Sequence, residues 1–480
     1  MTKTIHHSLC VDLDGTLIAT DTLWESVLLL LREHFLLIFK LPFWLLQGRA
    51  YLKHQIAQYV TLDVATLPYH ENLLRFLQDE KNKGRMLVLA TAAHQSIAQA
   101  VADHLKLFDV IIASDAHINM KGATKRDALK ERFKTYDYIG DSRADLPILH
   151  DAHEGFLVAP SRALQKQFIC PPERIFSTPK TTLWDWLKAL RPHQWVKNGL
   201  IFLPLILAHQ LFDLNQLGVS LLAFITFSFI ASSGYILNDL LDLAADRIHP
   251  TKKARPFASG RIPIQYGLPL FALLVCFSFS LSLLWLPIQF TGLLGLYFSM
   301  SIAYSFYFKQ KLIVDVLVLA GLYTLRILAG GLAISIPISS WLLAFSMFIF
   351  ISLAFLKRYV ELMLLIDKEE VLKHRSYEKC DLKMIASMGP TSGYIAILVF
   401  ALYINSEKVS TLYTSPFILW LICPILLYWI TRVWFLAHRQ QMLDDPVLFA
   451  LKDKISWLVV ACIFVLMLIA QIDLFPTYIV

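Results

Sequence analysis

Charge is scarce in this 480-residue chain. Asp, Glu, Lys and Arg make up 17% of it, hydrophobic residues make up 56%, and the mean hydropathy is +0.54. Soluble domains carry about a quarter charged residues, so this balance excludes a chain that is soluble throughout. Cysteine is also sparse. Cys10, Cys170, Cys276, Cys380, Cys423 and Cys462 form no CxxC pair and no cluster, which leaves neither a disulfide framework nor a thiolate metal site. The opening stretch MTKTIHHSLCVDLDGT lacks the apolar run of a secretory signal, and the N-terminal domain is expected to stay in the cytoplasm. There is no low-complexity tract. No aromatic-basic platform of the kind that binds nucleic acid is present. The net charge of +7 is therefore assigned to cytoplasmic loops and anionic substrates, and no nucleic-acid partner is expected. No protein partner is implied.

The apolar excess begins late. Up to about residue 180 the chain reads as a soluble α/β domain, with buried strands at SLCVDLD (8–14), RMLVLAT (85–91), VIIAS (110–114) and YDYIGD (136–141). Helical stretches separate them, which predicts a doubly wound parallel sheet. The segment VLLLLREHFLLIFKLPFWLLQ (27–47) has the length of a membrane span. Arg32, Glu33, His34, Lys40 and Pro42 interrupt it, so it is read as amphipathic helices lying on the bilayer. Residues 166–190 read as a linker ending in an interfacial helix rich in Trp and Lys. From Trp195 onward about nine stretches have the length of a span: 195–212, 217–237, 266–284, 287–307, 313–332, 340–356, 392–406, 415–436 and 456–475. The polar connections at 238–263, 308–312, 357–385 and 437–454 are rich in Lys and Arg, which places them on the cytoplasmic side.

Four elements of the first part carry chemistry. VDLDGTL places Asp12 and Asp14 just past the end of a strand, where α/β sheets bind ligands. A carboxylate there can accept a phosphoryl group as nucleophile, and one two residues on can act as general acid and base. Thr91 suits phosphoryl oxygens. Lys125, in KGATKRDAL, can neutralise charge between nucleophile and phosphate. Asp141 and Asp145, in GDSRADLPIL, are hard oxygen donors that suit Mg²⁺. Taken singly, such aspartates are often helix caps. Taken in this order, the four elements resemble the haloacid dehalogenase (HAD) superfamily of phosphatases over residues 5–165. The resemblance implies Asp12 as nucleophile, Asp14 as acid and base, Thr91 and Lys125 as phosphate ligands, and a Mg²⁺ held by Asp12, Asp141, Asp145 and the carbonyl of Asp14. It makes the insertion at about 20–80 a helical cap.

The second part has its own charge cluster, NDLLDLAADRIHPTKKARP, directly after an uncharged stretch. Asp239, Asp242 and Asp246 fall at i, i+3 and i+7, on one face of a helix, with Asn238 beside them. Unpaired carboxylates at a membrane boundary are costly. They become sensible around Mg²⁺ bridging to a diphosphate, with Lys252, Lys253 and Arg255 on the phosphate oxygens. The motif resembles the first of two metal-binding motifs in the UbiA superfamily of intramembrane prenyltransferases, over about residues 185–478. Where the second motif is expected, AYSFYFKQKLIVDVLVLAGLYTLRILAGG has Asp315 as its one carboxylate, with Lys309, Lys311 and Arg326. A more cationic pocket suits a donor with an extra phosphate. With LRPHQWVKN (190–198), LKRYVELMLL (356–365) and DDPVLFALKDK (444–454), the set looks like the branch typified by decaprenyl-phosphate phosphoribosyltransferase.

That resemblance implies Mg²⁺ and donor diphosphate on Asn238, Asp239, Asp242 and Asp246. It implies phosphate ligands at Lys252, Arg255, Lys309, Lys311 and Arg326, and the lipid phosphate or donor 5-phosphate at Lys197, Lys357 and Arg358. A lone Lys or Arg at such a boundary also snorkels to the interface without any ligand. The expected architecture is a HAD-like domain (1–165), a linker (166–190) and a UbiA-type bundle (191–480) in a bacterial inner membrane. The expected activity is Mg²⁺-dependent transfer of 5-phosphoribose from phosphoribosyl diphosphate (PRPP) to a polyprenyl phosphate. The HAD domain would then remove the product's 5-phosphate. The alternative is a prenyltransferase joining a polyprenyl diphosphate to a small acceptor, with a regulatory or unrelated HAD domain.

Overall fold

The structure, a computed structural model, describes residues 7–178, 181–366, 377–442 and 445–472. Packing divides the chain into two units. One holds the residues up to Pro192 together with Ser232–Leu274. The other holds His193–Ala231 and the chain from Val275 onward.

The first unit is built on a six-stranded parallel sheet in the order β3-β2-β1-β4-β5-β6. The strands are β1 (Ser8–Val11), β2 (Leu87–His94), β3 (Val110–Ser114), β4 (Tyr136–Gly140), β5 (Gly155–Val158) and β6 (Ile175–Phe176). Near-continuous apolar runs suit strands covered on both faces, and the covering is visible residue by residue. Leu9, Val11, Leu87, Leu89 and Ile139 pack into one core. Cys10, Val88, Ala90 and Tyr138 pack into the other. Chain order reverses at β1, between its neighbours β2 and β4, so a crevice opens beyond the carboxyl ends of β1 and β4. β5 and β6 escape the sequence reading: β6 has two residues, and the short β5 carries no motif to mark it as β1 does. β6 lies inside the stretch read as linker and instead pairs with β5.

Between β1 and β2 the chain forms α1 (Thr22–Glu33), a 3₁₀ turn (Phe35–Lys40), α2 (Leu41–Leu46) and α3 (Arg49–Tyr59). Asp21 caps α1 by accepting from the amides of Leu23 and Trp24. α1 stops at Glu33, so the membrane-length segment divides into pieces too short to span. Six of its side chains, Phe35, Leu36, Phe39, Phe43, Leu45 and Leu46, are more than half exposed.

Residues 241–265 pack onto this α/β body. Arg32 donates to the carbonyl of Leu241 at 3.3 Å, and Thr181 donates to the carbonyl of Arg261 at 2.6 Å. Gly260, at φ +71°, turns so close to Ala19 that a Cβ there would meet its backbone oxygen at 2.8 Å.

Six helices among the described residues are long and apolar enough to cross a membrane: Leu214–Leu241, Ile264–Trp285, Val314–Ala333, Ser340–Leu364, Lys379–Ile404 and Pro416–His438. The expected count of about nine is not reached. Residues Pro192–Phe202 form a 3₁₀ segment followed by a five-residue helix, so the first expected span does not form as one helix. Ile288–Phe306 is helical but diluted by Gly, Ser and Tyr. The last helix, Lys454–Ile469, has 16 residues. Lys357 and Arg358 lie within a helix that runs on to Ile366, where a polar loop was expected.

Candidate functional site

The DxDGT turn leaves β1 with Asp12 facing Lys125. The Lys125 ammonium sits 3.0 Å from Asp12 Oδ1 and 3.6 Å from Asp145 Oδ1. It also donates to the Tyr138 hydroxyl at 2.9 Å. That hydroxyl in turn donates to Asp145 Oδ1 at 2.9 Å. Ser142 holds the other Asp145 oxygen through its amide and hydroxyl. Asp141 accepts from the Thr16 hydroxyl at 3.0 Å. Gly15, at φ +75°, leaves the turn room beside Asp141, where a side chain would collide with the carboxylate. Asp14 is turned toward α1, accepting from the Thr22 amide at 2.8 Å and the Thr22 hydroxyl at 3.2 Å.

The electrostatics follow from crowding. Burial lifts the Asp12 carboxyl to about 6, opposed by Lys125 and aided by Asp145. Burial and the Asp21 charge lift Asp14 to about 7. Burial, then Asp12 and Asp145, push Asp141 well above the usual carboxylate range. Burial works against the Lys125 charge, but Asp12 and Asp145 outweigh it and hold its pKa above the usual lysine value. Oxygens of Asp12, Asp141 and Asp145 lie within 4.8 Å of one another. Three hard donors with excess negative charge fit a divalent cation such as Mg²⁺. Thr91 is fully buried, and its hydroxyl accepts from the Ala93 amide at 2.9 Å. A cavity of about 1670 Å³ opens over Asp12, Asp14, Lys125, Asp141 and Asp145, and residues 259–261 and 263–265 form part of its wall.

The second carboxylate group belongs to the same unit. The long helix ends at Leu241, and Asp242 begins a short one, Leu243–Ile248. The i, i+3, i+7 stripe is thus interrupted, although the amides of Asp242 and Asp246 still bond four residues back. Asp239 and Asp246, expected to be unpaired, are both held by arginines. Arg255 is 3.1 Å from Asp239 and 2.5 Å from Asp246. Arg191 pairs with Asp239 and lies over the Tyr235 ring. Among the described residues these carboxylates do not converge as the Asp12 group does; the Arg255 guanidinium bridges Asp239 and Asp246. Arg191 was missed by the sequence reading, although it lies in the quoted LRPHQWVKN. Its left-handed backbone at the end of helix Leu183–Leu190 leaves no sequence signal. Asn238 is half-buried, and Lys252 and Lys253 are exposed.

In the second unit the expected cations form two ion-pair groups on neighbouring residues of helix Ser340–Ile366. Lys357 and Lys197 share Asp445 Oδ2, at 3.2 and 2.9 Å. Their charges outweigh the effect of burial and hold the Asp445 carboxyl well below the usual range. Arg358 is buried, 2.7 Å from Asp315. It also pairs with Glu361 and donates to the Tyr304 hydroxyl at 3.1 Å. Asp315 accepts from Tyr377 at 2.6 Å. Arg326 lies apart from both groups, among the rings of Phe227, Tyr297 and Tyr323, donating to Asn198, Leu322 and Tyr297. That is the setting of a satisfied core cation. Lys311 lies over the Tyr307 ring, and Lys309 follows in the same 3₁₀ turn as Phe308. Asp445 is the residue the reading passed over. Asp444, quoted beside it, lies outside the described residues.

Two family models match the chain. The UbiA prenyltransferase family model matches residues 200–458, and the haloacid dehalogenase-like hydrolase model matches residues 9–150. The chain belongs to the UbiA prenyltransferase family, with a haloacid dehalogenase-like hydrolase domain ahead of the membrane part. It is a multi-pass membrane enzyme with transferase and hydrolase domains. The protein named "Uncharacterized protein y4nM" of Sinorhizobium fredii is 36% identical over 464 residues, 95% of this chain and 89% of its own. Nodulation protein NoeC of Azorhizobium caulinodans is 35% identical over 278 residues, 58% of this chain and 90% of its own. Decaprenyl-phosphate phosphoribosyltransferase of Mycolicibacterium smegmatis is 35% identical over 190 residues, 39% of this chain and 59% of its own.

Proposed function

We propose that the chain carries out two consecutive reactions. The UbiA part, about 191–480, transfers 5-phosphoribose from PRPP to a polyprenyl phosphate. The HAD part, about 1–165, then hydrolyses the 5-phosphate to leave polyprenyl-phosphoryl-ribose. Both act from the cytoplasmic side of a bacterial inner membrane. The observation that carries the transfer reading is the state of Asp315. It is the one carboxylate where a second metal motif is expected, and it is locked to Arg358 and Tyr377. A stretch whose one carboxylate is already paired, with Lys309 and Lys311 close by in sequence, suits a donor bearing an extra phosphate better than a plain prenyl diphosphate. The relative named decaprenyl-phosphate phosphoribosyltransferase supports the same choice.

In the transfer, an anionic oxygen of the lipid phosphate attacks C1 of the ribose. The C1–O bond to diphosphate breaks and diphosphate leaves. The nucleophile is already deprotonated, so positioning matters more than a general base. Asn238, Asp239, Asp242 and Asp246 are the oxygen donors that would hold Mg²⁺, which when bound neutralises the leaving diphosphate. Arg191 and Arg255, released from the carboxylates, would then grip diphosphate oxygens. Lys252 joins them, and Lys197, Lys309, Lys311, Lys357 and Arg358 are the candidates for the remaining phosphates.

In the hydrolysis, an Asp12 oxygen attacks phosphorus and the P–O bond to ribose breaks, with Asp14 giving a proton to the leaving oxygen. Water then attacks the aspartyl phosphate while Asp14 takes up a proton, and phosphate leaves. Lys125 offsets the charge between nucleophile and phosphate. Asp12, Asp141 and Asp145 would hold the Mg²⁺ of this half.

The test of the transfer reading is diphosphate release by detergent-solubilised protein given Mg²⁺ and a polyprenyl phosphate, with PRPP or a prenyl diphosphate as donor. PRPP-dependent release supports the reading. Release from the prenyl diphosphate alone, with a small acceptor, replaces it by the ordinary prenyltransferase.

A further inference from the structure

The cavity over Asp12 is larger than one phosphomonoester needs, and its walls are of two kinds. Beside the catalytic carboxylates it is lined by cations that the phosphatase chemistry does not use, foremost Lys53 on α3. The Lys53 ammonium donates to the carbonyl of Ala92, next to Thr91, at 2.5 Å and to Asn119 Oδ1 at 3.0 Å. It is thereby fixed against β2, next to Thr91, on the wall of the cavity. Arg49 and Lys121 line the same cavity. Further along, the lining turns apolar with Trp24, Val27, Leu41 and Leu45. Phe39, Phe43 and Leu46, on the same stretch of the cap but outside the cavity lining, are 64%, 66% and 85% exposed. Phe39 belongs to the 3₁₀ turn, and Phe43 and Leu46 to α2.

We infer that this cavity binds a lipid-linked phosphodiester that carries a terminal sugar phosphate. The terminal phosphomonoester meets Asp12 and Lys125. The inner phosphodiester, across one pentose, pairs with Lys53. The prenyl chain leaves along Trp24, Leu41 and Leu45 into a bilayer that Phe39, Phe43 and Leu46 enter. A soluble sugar phosphate would use neither the second cation nor the apolar wall. Burying such a wall against a prenyl chain is favourable in proportion to the area removed from water, and an ammonium–phosphate contact is a charge-assisted bond. The inference rests on the hydrolysis reading above and names the groups that recognise its substrate.

The test uses the full chain in detergent without PRPP, so that hydrolysis alone is read. Phosphate release is measured from synthetic decaprenyl-phosphoryl-5-phosphoribose, from its short isoprenyl analogue and from ribose 5-phosphate. Wild type is expected to favour the decaprenyl substrate in kcat/KM. Lys53→Met should lower the ratio of the lipid-linked substrates to ribose 5-phosphate by about 10-fold or more, and Lys53→Arg should restore it. Leu45→Glu should lower the ratio of decaprenyl to isoprenyl substrate by about 5-fold or more. Both ratios are internal, because every substrate shares the Asp12 centre. Ratios that stay fixed, or activities that fall in parallel on all substrates, overturn the inference while leaving the hydrolysis reading in place. Wild-type hydrolysis of ribose 5-phosphate with none of either lipid overturns both.

Discussion

Arg247 and Glu25, 222 positions apart in the chain, form a two-pronged ion pair in which Nη2 lies 2.5 Å from Oε1 and Nη1 3.3 Å from Oε2. Both side chains are more than nine-tenths buried. Thr20 donates to Glu25 at 2.6 Å, and Arg247 Nε donates to the carbonyl of Ala258 at 3.1 Å. The pair ties the first cap helix to the residue directly after Asp246. Removing one partner strands a buried charge. Glu25→Ala should therefore destabilise the protein by about 3–5 kcal/mol, seen as a lower melting temperature in detergent. Glu25→Ala with Arg247→Met should recover part of that loss. A double variant no more stable than the sum of the singles would show that the pair is not coupled.

The Asp12 group is a metal site by its donors, so loss of one donor should weaken metal binding before it abolishes chemistry. Asp141→Asn should raise the Mg²⁺ concentration for half-maximal phosphate release by about 10–100-fold, with diphosphate release in the transfer assay unaffected. An unchanged Mg²⁺ requirement would remove Asp141 from the metal site.

Asp239 is held between Arg191 and Arg255. Asp239→Asn should lower the transfer rate by about 10²-fold or more while phosphate release from an added phosphomonoester persists. A transfer rate within about 2-fold of wild type, which is less than 1 kcal/mol of barrier, would show that this carboxylate is structural.

Arg432 grips Asp453 through both oxygens, at 2.7 and 3.0 Å, and Ser456 adds two further donors. The Arg432 bond, aided by Ser456, lowers the Asp453 carboxyl to about 2. A carboxyl depressed on folding adds stability that is present above its unfolded pKa, near 4. That stability is lost as pH falls from about 4 through about 2. Wild type should therefore lose melting temperature more steeply than Asp453→Asn between pH 4 and pH 2. Parallel curves would contradict the assignment.

Much of the α/β half was legible because its signals are local. DxDGT, Lys125 and GDSRAD each sit at the end of an apolar strand or the start of a helix, and the sheet brings them together at its switch point. β5 and β6 were not legible: β6 has two residues, and the short β5 carries no motif to mark it as β1 does. In the membrane half, apolar length located most helices but not the 3₁₀ run at Pro192–Phe202, because composition does not reveal how a backbone closes its hydrogen bonds. The spacing of Asp239, Asp242 and Asp246 pointed to a shared face. It carried no sign that Arg191 would reach Asp239 from a left-handed helix end 48 positions earlier. Asp445, which joins Lys197 to Lys357, was hidden for the same reason: ion pairs across distant segments leave no pattern in sequence.

The central claim is that one chain adds a phosphoribosyl group to a lipid and then trims it. The most direct test is to weigh the lipid products formed from PRPP, Mg²⁺ and a polyprenyl phosphate by wild type and by Asp12→Asn. The account predicts polyprenyl-phosphoryl-ribose from wild type and accumulation of polyprenyl-phosphoryl-5-phosphoribose in the variant. The same phosphorylated lipid from both proteins would contradict it, and would leave a transferase joined to a phosphatase with another substrate.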